Sequence, residues 1–257
     1  MIKFFRKIRQ NLLMENKTSK YFKYAIGEIV LVVIGILIAL QINNWNEDKK
    51  RKTLAHQYVN GLVRDLKQDT MSIKSNIQFH KELIKGLDTL IALKKDNLKD
   101  PVVVSSFYLL YRKYCTTSST FGISESTLTQ LKNTGDLALF DENIKDSIVS
   151  YELYYQNVKE QGEYYLEAET NIGVIGKKII DYTILLDTSY FYNRMYTGKK
   201  LPKGNFTENF TREFFNETAI VRGTSKHYII SYLKPILKKA ENLIEFLNKE
   251  YKLDKND

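Results

Sequence analysis

The strongest constraint on the fold is an apolar run near the N-terminus, "YAIGEIVLVVIGILIALQINNW", in which residues 29–40 include no polar side chain. As an α-helix, residues 24–42 would rise roughly 28 Å, close to the hydrocarbon thickness of a bilayer. A buried helix of a soluble protein is the alternative, but such a helix normally keeps a polar face, which this run lacks. The sequence therefore predicts one transmembrane helix at residues 24–42.

The residues on either side of this run fit the same prediction. Aromatic side chains that settle at the headgroup level stand at both ends, with Tyr21, Phe22 and Tyr24 at the first end and Trp45 at the other. A cleaved signal peptide would have a shorter apolar core followed by a small-residue cleavage site. The sequence after the run, "LQINNWNEDKKRK", contains no such site, so we expect an uncleaved signal anchor.

Basic residues on the two flanks predict the orientation of the span. The flank before the span carries seven Lys or Arg residues, and a compact cluster of four follows it. By the positive-inside rule, this balance favours a cytoplasmic N-terminus and an extracytoplasmic C-terminal domain. The predicted organisation is a basic cytoplasmic tail at 1–23, the transmembrane helix at 24–42 and an extracytoplasmic helical bundle at 43–257.

The net charge of +9 suggests a nucleic acid as partner, but the distribution of the charge argues against it. Residues 1–45 carry a net charge of +5, which leaves only +4 for the long remainder. That remainder has acidic residues throughout and no basic strip interleaved with aromatic residues, as is typical of an ordinary solvated surface. We therefore expect the lipid bilayer as a partner and no nucleic acid.

Cysteine and histidine residues give no indication of a metal or a cofactor. Cys115 is the single cysteine, which excludes an intramolecular disulfide and any multi-cysteine metal site. His56, His80 and His227 are far apart and lack the spacing of a metal-binding helix. His80 falls on an apolar helical stripe, so we expect a core histidine with satisfied hydrogen bonds. We find no nucleophile with a base and no phosphate-binding glycine loop, so we expect no enzyme.

Beyond the span, the chain reads as a series of helices. No proline occurs between residues 45 and 98, and apolar positions there alternate by three and four, so the membrane helix is expected to continue into a long bundle helix. These positions are Ile73, Ile77, His80, Ile84, Leu87 and Ile91. Pro101 is expected to end this helical region, and a shorter helix should begin near Ser105 or Ser106.

The segment "STLTQLKNTGDLALFDENI" has the clearest local pattern. A short helix through Leu131 should end at Gly135, and Asp141 should cap a second long helix that reaches about Leu186. Five tyrosines lie along that second helix: Tyr151, Tyr154, Tyr155, Tyr164 and Tyr165. They could line a ligand pocket, but an aromatic stripe at helical spacing is more often packing, which is the interpretation we favour.

The C-terminal third predicts one more helix after an irregular connection. The connection, residues 196–218, is polar and contains glycine, whereas an apolar face that includes Leu233, Ile236 and Leu243 predicts the last helix. Pro235 should kink this helix or mark a late start. Since strand alternation is absent from the sequence, we predict an all-α fold: one N-terminal transmembrane helix that continues into an antiparallel helical bundle.

Two segments of the chain resemble a known family. "YAIGEIVLVVIGILIALQINNWNE" resembles the N-terminal signature of an uncharacterised family of single-span membrane proteins from Bacteroidota, a domain-of-unknown-function family, and "STLTQLKNTGDLALFDENI" is similar to its soluble core motif. The residues of the span motif that stand in the family's order are Gly27, Glu28, Gly35, Ala39, Asn43, Asn44 and Trp45. The resemblance implies a bacterial inner-membrane protein with a periplasmic domain, and it implies no activity.

Glu28 is the charged residue inside the predicted span. A carboxylate costs a few kcal/mol at the centre of a bilayer but less near its edge, so Glu28 is either merely tolerated or used. A helix brings Glu28, Gly35 and Ala39 toward one side, and Gly35-x-x-x-Ala39 is a small-residue pattern that lets two helices approach closely. We hypothesise that this face contacts a second copy of the chain or a multi-span membrane protein.

Three classes of function are open. The first is a membrane-anchored helical interaction or scaffold module, because the recognisable features are an anchor, a long helix and apolar faces. The second is an extracytoplasmic sensory or ligand-binding bundle that acts through a membrane partner, since the short cytoplasmic tail has no room for an output domain. The third is an enzyme, for which the sequence offers no recognisable catalytic residues. We favour the first class.

Overall fold

The computed structural model describes residues 18–96, 98–119, 121–181 and 204–253, and these residues are almost entirely helical. Within these ranges, the β-type pairing is limited to an isolated antiparallel bridge between Ile180 and Gly204. A run of helices with no strand in the described part of the chain is what the hydrophobic periodicity indicates. The all-α prediction is confirmed.

The described residues fall into two units, one up to Gln57 and the other from Tyr58 onward. The first unit contains the predicted span, and the second contains the bundle. This division does not test the predicted limits of the tail, the span and the extracytoplasmic domain, which stay predictions. Most of the predicted tail, residues 1–17, lies outside the described residues.

The first helix, α1, is Thr18–Ala92, and a 3-10 turn at Leu93–Lys95 follows it. It confirms the prediction that the apolar helix continues into a long bundle helix. Of the helices in the described ranges, α1 is the one that is long and apolar enough to cross a membrane, and none of its apolar window is buried within the chain. A core helix would be mostly buried, so the alternative of a soluble core helix does not fit.

Burial along the bundle part of α1 follows a strict heptad repeat. The buried heptad positions are Val59, Leu62, Leu66, Asp69, Ile73, Asn76, His80, Leu83, Leu87 and Leu90. The predicted stripe was right at Ile73, Ile77, His80 and Leu87, which are all buried. At Ile84 and Ile91, which are half-buried, the prediction was one residue beyond the buried heptad positions. The repeat was hard to recognise because the polar residues Asp69 and Asn76 occupy two of its core positions.

The second helix, α2, is Pro101–Tyr114, so the predicted start near Ser105 or Ser106 is wrong. Pro101 occupies the first position of α2, where its missing N–H is not needed and its fixed φ suits the helix. Asp100 caps the helix, because its side chain accepts a hydrogen bond from the Val102 N–H at 2.8 Å. Proline therefore marks a helix start here rather than the end of α1.

The corner between the third and fourth helices follows the sequence prediction. Helix α3 is Ser126–Thr134 and ends at Gly135, whose φ of 74° is the left-handed conformation that favours glycine. A 3-10 turn leads to α4, Glu142–Ile179, with Asp141 at the N-cap position although its side chain makes no capping hydrogen bond. Helix α4 ends at Ile179, because Ile180 is extended, so the predicted end at about Leu186 is wrong; Leu186 itself lies outside the described residues.

The C-terminal helices begin earlier than predicted. Helix α5 is Glu208–Tyr228, a π-helical turn follows at Ile229–Leu233, and α6 is Lys234–Tyr251. The predicted irregular connection is therefore wrong from Glu208 onward, because the Thr207 side chain caps α5 by accepting from the Phe210 N–H at 3.4 Å. Residues 196–203 of the connection lie outside the described part.

Pro235 is the second residue of α6, which begins at Lys234, so the late-start alternative is confirmed for this helix, and a π-helical turn joins α6 to α5. The π-helical turn directly before it relaxes the backbone where the proline ring would otherwise crowd the preceding turn. Because proline has no N–H, the carbonyl of Ser231 has no α-helical donor four residues later. The Tyr154 hydroxyl of α4 donates to this carbonyl at 3.0 Å.

Side-chain contacts in the second unit give the relative direction of the long helices. Along α4, Tyr154, Val158 and Lys178 contact Ser231, Tyr228 and Glu213 respectively. Along α1, Lys74 and Asp88 contact Glu241 and Arg222 respectively. Both series run in opposite directions, so the α5–α6 helix is antiparallel to α1 and to α4. The predicted antiparallel bundle is confirmed.

Candidate functional site

The predicted contact face of the span, Glu28, Gly35 and Ala39, lies on the apolar part of α1. Spacings of seven and four residues bring the three positions within about 40° of one another around a helix. Outside its own helix, no described atom lies within 4 Å of the place where a side chain on Gly35 would begin. The contact hypothesis is therefore sterically open, and it stays a prediction.

Two carboxylates on α1 hold the start of α3, a contact that sequence reasoning did not find. The Asp65 carboxylate accepts from the Thr127 N–H and from the Ser126 hydroxyl, both at 3.1 Å. Because the N-cap position of α3 makes no side-chain hydrogen bond of its own, Asp65 satisfies donors that a helix start leaves unpaired. The partners are about sixty residues apart, so no local motif marks the contact.

Asp69, one turn further along α1, is the second of these carboxylates. It accepts from the Ser124 N–H at 2.7 Å and from the Tyr151 hydroxyl of α4 at 2.9 Å. Burial raises the pKa of Asp69, and the two hydrogen bonds act in the opposite direction. Asp69 therefore ties α1, α4 and the loop before α3 together through one buried carboxylate.

Asn76 continues this pattern of polar residues at core positions of α1. Its side-chain amide donates to the carbonyl of Ser119 at 3.1 Å and to the hydroxyl of Ser119 at 2.9 Å. Asp65, Asp69 and Asn76 thus fix the loop after α2 and the start of α3 against α1. Buried polar residues at heptad positions select one register of packing, and this is the physical role that their contacts indicate.

His80 is a core residue, as predicted, but the prediction that its hydrogen bonds are satisfied is wrong. Its side chain is completely buried, and neither ring nitrogen has a hydrogen-bond partner among the described residues. The rings of Tyr165, Tyr228 and Phe79 meet it edge-on, with centroid distances of 4.6, 5.4 and 5.4 Å. Burial lowers the pKa of His80 to about 4, so the imidazole is neutral at physiological pH.

Glu169 on α4, like Asn76 and His80, is a buried polar residue with an unpartnered atom, and only 8% of it is exposed. The Tyr165 hydroxyl donates to its Oε1 atom at 2.6 Å, while its Oε2 atom is buried without a hydrogen-bond partner. Burial raises the pKa of Glu169 to about 7, and the hydrogen bond from Tyr165 opposes this rise. The sequence indicates that Glu169 is buried, because it lies four residues after Tyr165 and three before Ile172, which is the spacing of one helix face.

Glu169 lines a cleft between the C-terminal end of α2 and α4, which we call the α2–α4 cleft. It has a volume of about 270 Å³, and its wall also includes Cys115, Thr117, Gly173 and Lys177. Burial raises the pKa of the Cys115 thiol, and the negative charge of Glu169 adds to this rise. Cys115 therefore stays protonated, which makes it a poor nucleophile.

The five tyrosines of α4 serve mainly in packing. Tyr151, Tyr155 and Tyr165 are buried, and the hydroxyls of Tyr151 and Tyr165 donate to Asp69 and Glu169 respectively. Tyr164 is exposed. Packing is confirmed for the buried three, and two of them also carry the hydrogen bonds that hold the buried carboxylates.

The raised pKa of Glu169 predicts a change in stability with pH. Unfolded chains ionise this carboxyl above its ordinary value of 4.5, whereas the folded bundle keeps it protonated up to about pH 7. Protonated Glu169 therefore makes its full contribution to the stability of the fold below pH 4.5, and this contribution is lost as the pH rises through 7. Glu169→Gln should be more stable than wild type by about 1–2 kcal/mol at pH 8 and equally stable at pH 4.

Urea unfolding of the full chain in mild detergent, followed by the near-ultraviolet circular dichroism of its tyrosines, measures this difference. Glu167→Gln is the matched control, because Glu167 lies on the same helix and is exposed. His80 also titrates in the acid range, but it is present in every variant, so its contribution cancels. A Glu169→Gln effect that is the same at pH 4 and pH 8 would contradict the assignment.

Comparison with known proteins gives one match. The model of a family of unknown function, DUF6090, matches residues 28–189, which include the apolar segment of α1, α2, α3 and α4. Searches of curated proteins and of solved structures returned no match. The matched region contains Asp65, Asp69, His80 and Glu169, so the buried polar residues described above all lie inside it.

Proposed function

Because this chain belongs to DUF6090, a family of unknown function, its role has to be argued from its own residues, and we propose that it is a membrane-anchored helical interaction or scaffold module. The observation that carries this proposal is the complete exposure of the apolar window of α1. Burying such a surface stabilises it by about 25 cal/mol per Å², and the described chain offers nothing to bury it. A bilayer supplies the missing apolar surroundings.

The proposed location is the bacterial inner membrane, crossed once, with the N-terminus in the cytoplasm and the bundle in the periplasm. The excess of basic residues before the span favours this orientation. One helix, Thr18–Ala92, includes both the predicted span and the first helix of the bundle. We propose no catalytic activity, in keeping with a module that acts by binding.

The proposed partner contact lies inside the membrane, on the face formed by Glu28, Gly35 and Ala39. Glycine and alanine let a second helix approach closely, and a carboxyl group beside them can hydrogen-bond across the contact. The proposed partner is a second copy of the chain or a multi-span membrane protein. Gly27 offers a comparison within the same helix, because it is equally open but lies about 100° away around the helix axis.

Photocrosslinking in membranes tests this contact. A benzophenone attached to Val32→Cys lies on the proposed face, whereas one attached to Leu37→Cys lies on the opposite side. Since Cys115 is buried, the engineered cysteine is the labelled one. The Val32→Cys probe should give a product of twice the 30.1 kDa chain mass, or a heavier product with another protein, at three or more times the yield of the Leu37→Cys probe.

Substitutions in the span then show whether crosslinking depends on the proposed face or on any part of the helix. Gly35→Ile should lower the crosslinking yield at least threefold, and Glu28→Gln should lower it less, while Gly27→Ile should leave it unchanged at equal expression. The proposed contact would be contradicted if the two probe positions gave equal crosslinking yields, or if Gly35→Ile and Gly27→Ile changed the yield equally.

A second candidate function, a ligand-binding or sensory bundle, is favoured by a separate observation. Glu169 lines the α2–α4 cleft and keeps one carboxylate oxygen buried without a partner. Buried polar atoms in folded proteins nearly always have a partner, so this oxygen is a candidate contact for a molecule that enters the cleft. Such a bundle would pass the binding event to a membrane partner through the span.

A further inference from the structure

The unpartnered oxygen of Glu169 defines what a ligand of the α2–α4 cleft must supply. The hydroxyl of Tyr165 already serves Oε1, and no other described group donates to Oε2. A carboxylate oxygen accepts hydrogen bonds, and the strongest donor to it is a charged N–H group. Oε2 is buried, so a ligand in the cleft that Glu169 lines reaches it by rotation of the carboxylate about its terminal torsion, which is broad in glutamate.

The backbone end of α2 also favours a positive ligand, whereas Lys177 in the cleft wall and Arg112 and Lys113 in the last turn of α2 carry positive charge. Helix α2 ends beside the cleft, and the C-terminal end of a helix carries the negative end of the helix dipole. The hydroxyls of Thr116 and Thr117 already donate to the carbonyls of Arg112 and Lys113, at 2.6 and 2.9 Å. These hydroxyl oxygens are left as further acceptors at the mouth of the cleft.

The size and the walls of the cleft limit the ligand to a small molecule. Its volume of about 270 Å³ is at the lower end of what ligand pockets enclose. Leu166 and Val174 add apolar wall, which suits a short aliphatic chain. The titratable groups around Glu169 are Tyr165 on the same helix, Tyr111 on α2, Cys115 after α2 and Lys177 at the cleft wall. Tyr165 in turn contacts His80 of α1 and Tyr228 of α5.

We infer that the α2–α4 cleft binds a small organic cation that carries a primary ammonium group, with the unpartnered carboxylate oxygen of Glu169 as its acceptor. The ammonium group supplies the N–H donor that Oε2 lacks, and its positive charge compensates the buried carboxylate. The aliphatic part packs on Leu166 and Val174. This inference rests on the second candidate function and is independent of the contact inside the membrane.

Titration calorimetry of the full chain in detergent micelles tests the inference with a matched pair of probes. n-Butylammonium carries the charged donor, and 1-butanol has the same chain without the charge. At pH 8, butylammonium should bind at least tenfold more tightly than butanol. The preference should fall at least fivefold at pH 5.5, because Glu169 becomes protonated while the ammonium group keeps its charge.

Two variants show whether the preference for butylammonium over butanol arises in the α2–α4 cleft. Glu169→Gln should remove it, whereas Glu167→Gln, on the exposed side of the same helix, should retain it. Equal affinity for the two probes, no binding of either, or a preference that survives Glu169→Gln would overturn the inference. The pH comparison uses wild-type protein and so does not depend on the folding of a variant. The photocrosslinking described above reports on the span alone, so failure of one proposal is distinguishable from failure of the other.

Discussion

Replacement of Asp69 by alanine is expected to lower the free energy of unfolding of the bundle by about 3 kcal/mol. The carboxylate is buried and accepts from the Ser124 N–H and the Tyr151 hydroxyl, so its removal leaves one part-buried and one buried donor without partners. Each such donor costs about 1–3 kcal/mol, and the cavity left by the side chain adds to the loss. Urea unfolding of the full chain in mild detergent measures the change.

Two comparisons show whether the loss comes from these hydrogen bonds. Asp69→Asn keeps an acceptor for one donor but not for both, so its effect should lie between wild type and Asp69→Ala. Asp48→Ala removes an exposed aspartate from the same helix and should change the stability by less than about 0.5 kcal/mol. A loss at Asp69→Ala no larger than the loss at Asp48→Ala would show that the buried carboxylate does not hold the bundle together.

The features that were predictable from sequence are those that depend on local chemistry. The apolar run needs no tertiary information, because its length and composition alone exclude a soluble surface helix. Gly135 ends α3 since the left-handed backbone there favours glycine, and the alternating apolar residues of α1 fixed the helix type. Prolines were harder to interpret, because a proline can follow the end of one helix or occupy the first turn of the next, and Pro101 does the second.

The candidate site was not predictable from local patterns, because its contacts join distant residues. Asp69 looks like a surface residue in the sequence, and its partners are 55 and 82 residues away. Asn76 and Asp69 also moved the apparent apolar stripe by one residue, since polar residues at core positions break the pattern by which a core is recognised. The spacing of Glu169 from Tyr165 and Ile172 places it on the buried face of α4, which the sequence alone shows. That its Oε2 atom lacks a hydrogen-bond partner is visible only in the structure.

The buried polar residues connect the fold to the proposed roles. Asp65, Asp69 and Asn76 have partners that fix the register of α1 against α3 and α4, which is a structural task. Three of the buried polar residues also keep an atom without a hydrogen-bond partner in the described structure: Asn76 at Oδ1, His80 at both ring nitrogens and Glu169 at Oε2. His80 is fully enclosed, whereas Asn76 and Glu169 each line a cleft. The ligand proposal rests on Glu169, because its unpartnered oxygen belongs to an ionisable carboxyl group.

Substitution of Gly176 by alanine is expected to lower the free energy of unfolding by about 2–3 kcal/mol. A side chain built on Gly176 would begin 2.1 Å from a ring carbon of Tyr111, far inside van der Waals contact. Tyr111 cannot move aside easily, because it is buried, its hydroxyl donates to the Gly173 carbonyl at 3.1 Å and its ring stacks on Phe107. The clash outweighs the gain of up to about 1 kcal/mol that alanine brings within a helix.

Gly173→Ala, one turn earlier on α4, is the matched control and should have the opposite sign. The nearest atom to a side chain there is the carbonyl oxygen of Cys115 at 3.8 Å, an ordinary contact. Alanine should therefore stabilise the bundle by about 0.5–1 kcal/mol through its higher helix propensity. Because the two glycines share one helix and one tyrosine, a common sign for both substitutions in urea unfolding would mean that Tyr111 does not pack on α4 in this way.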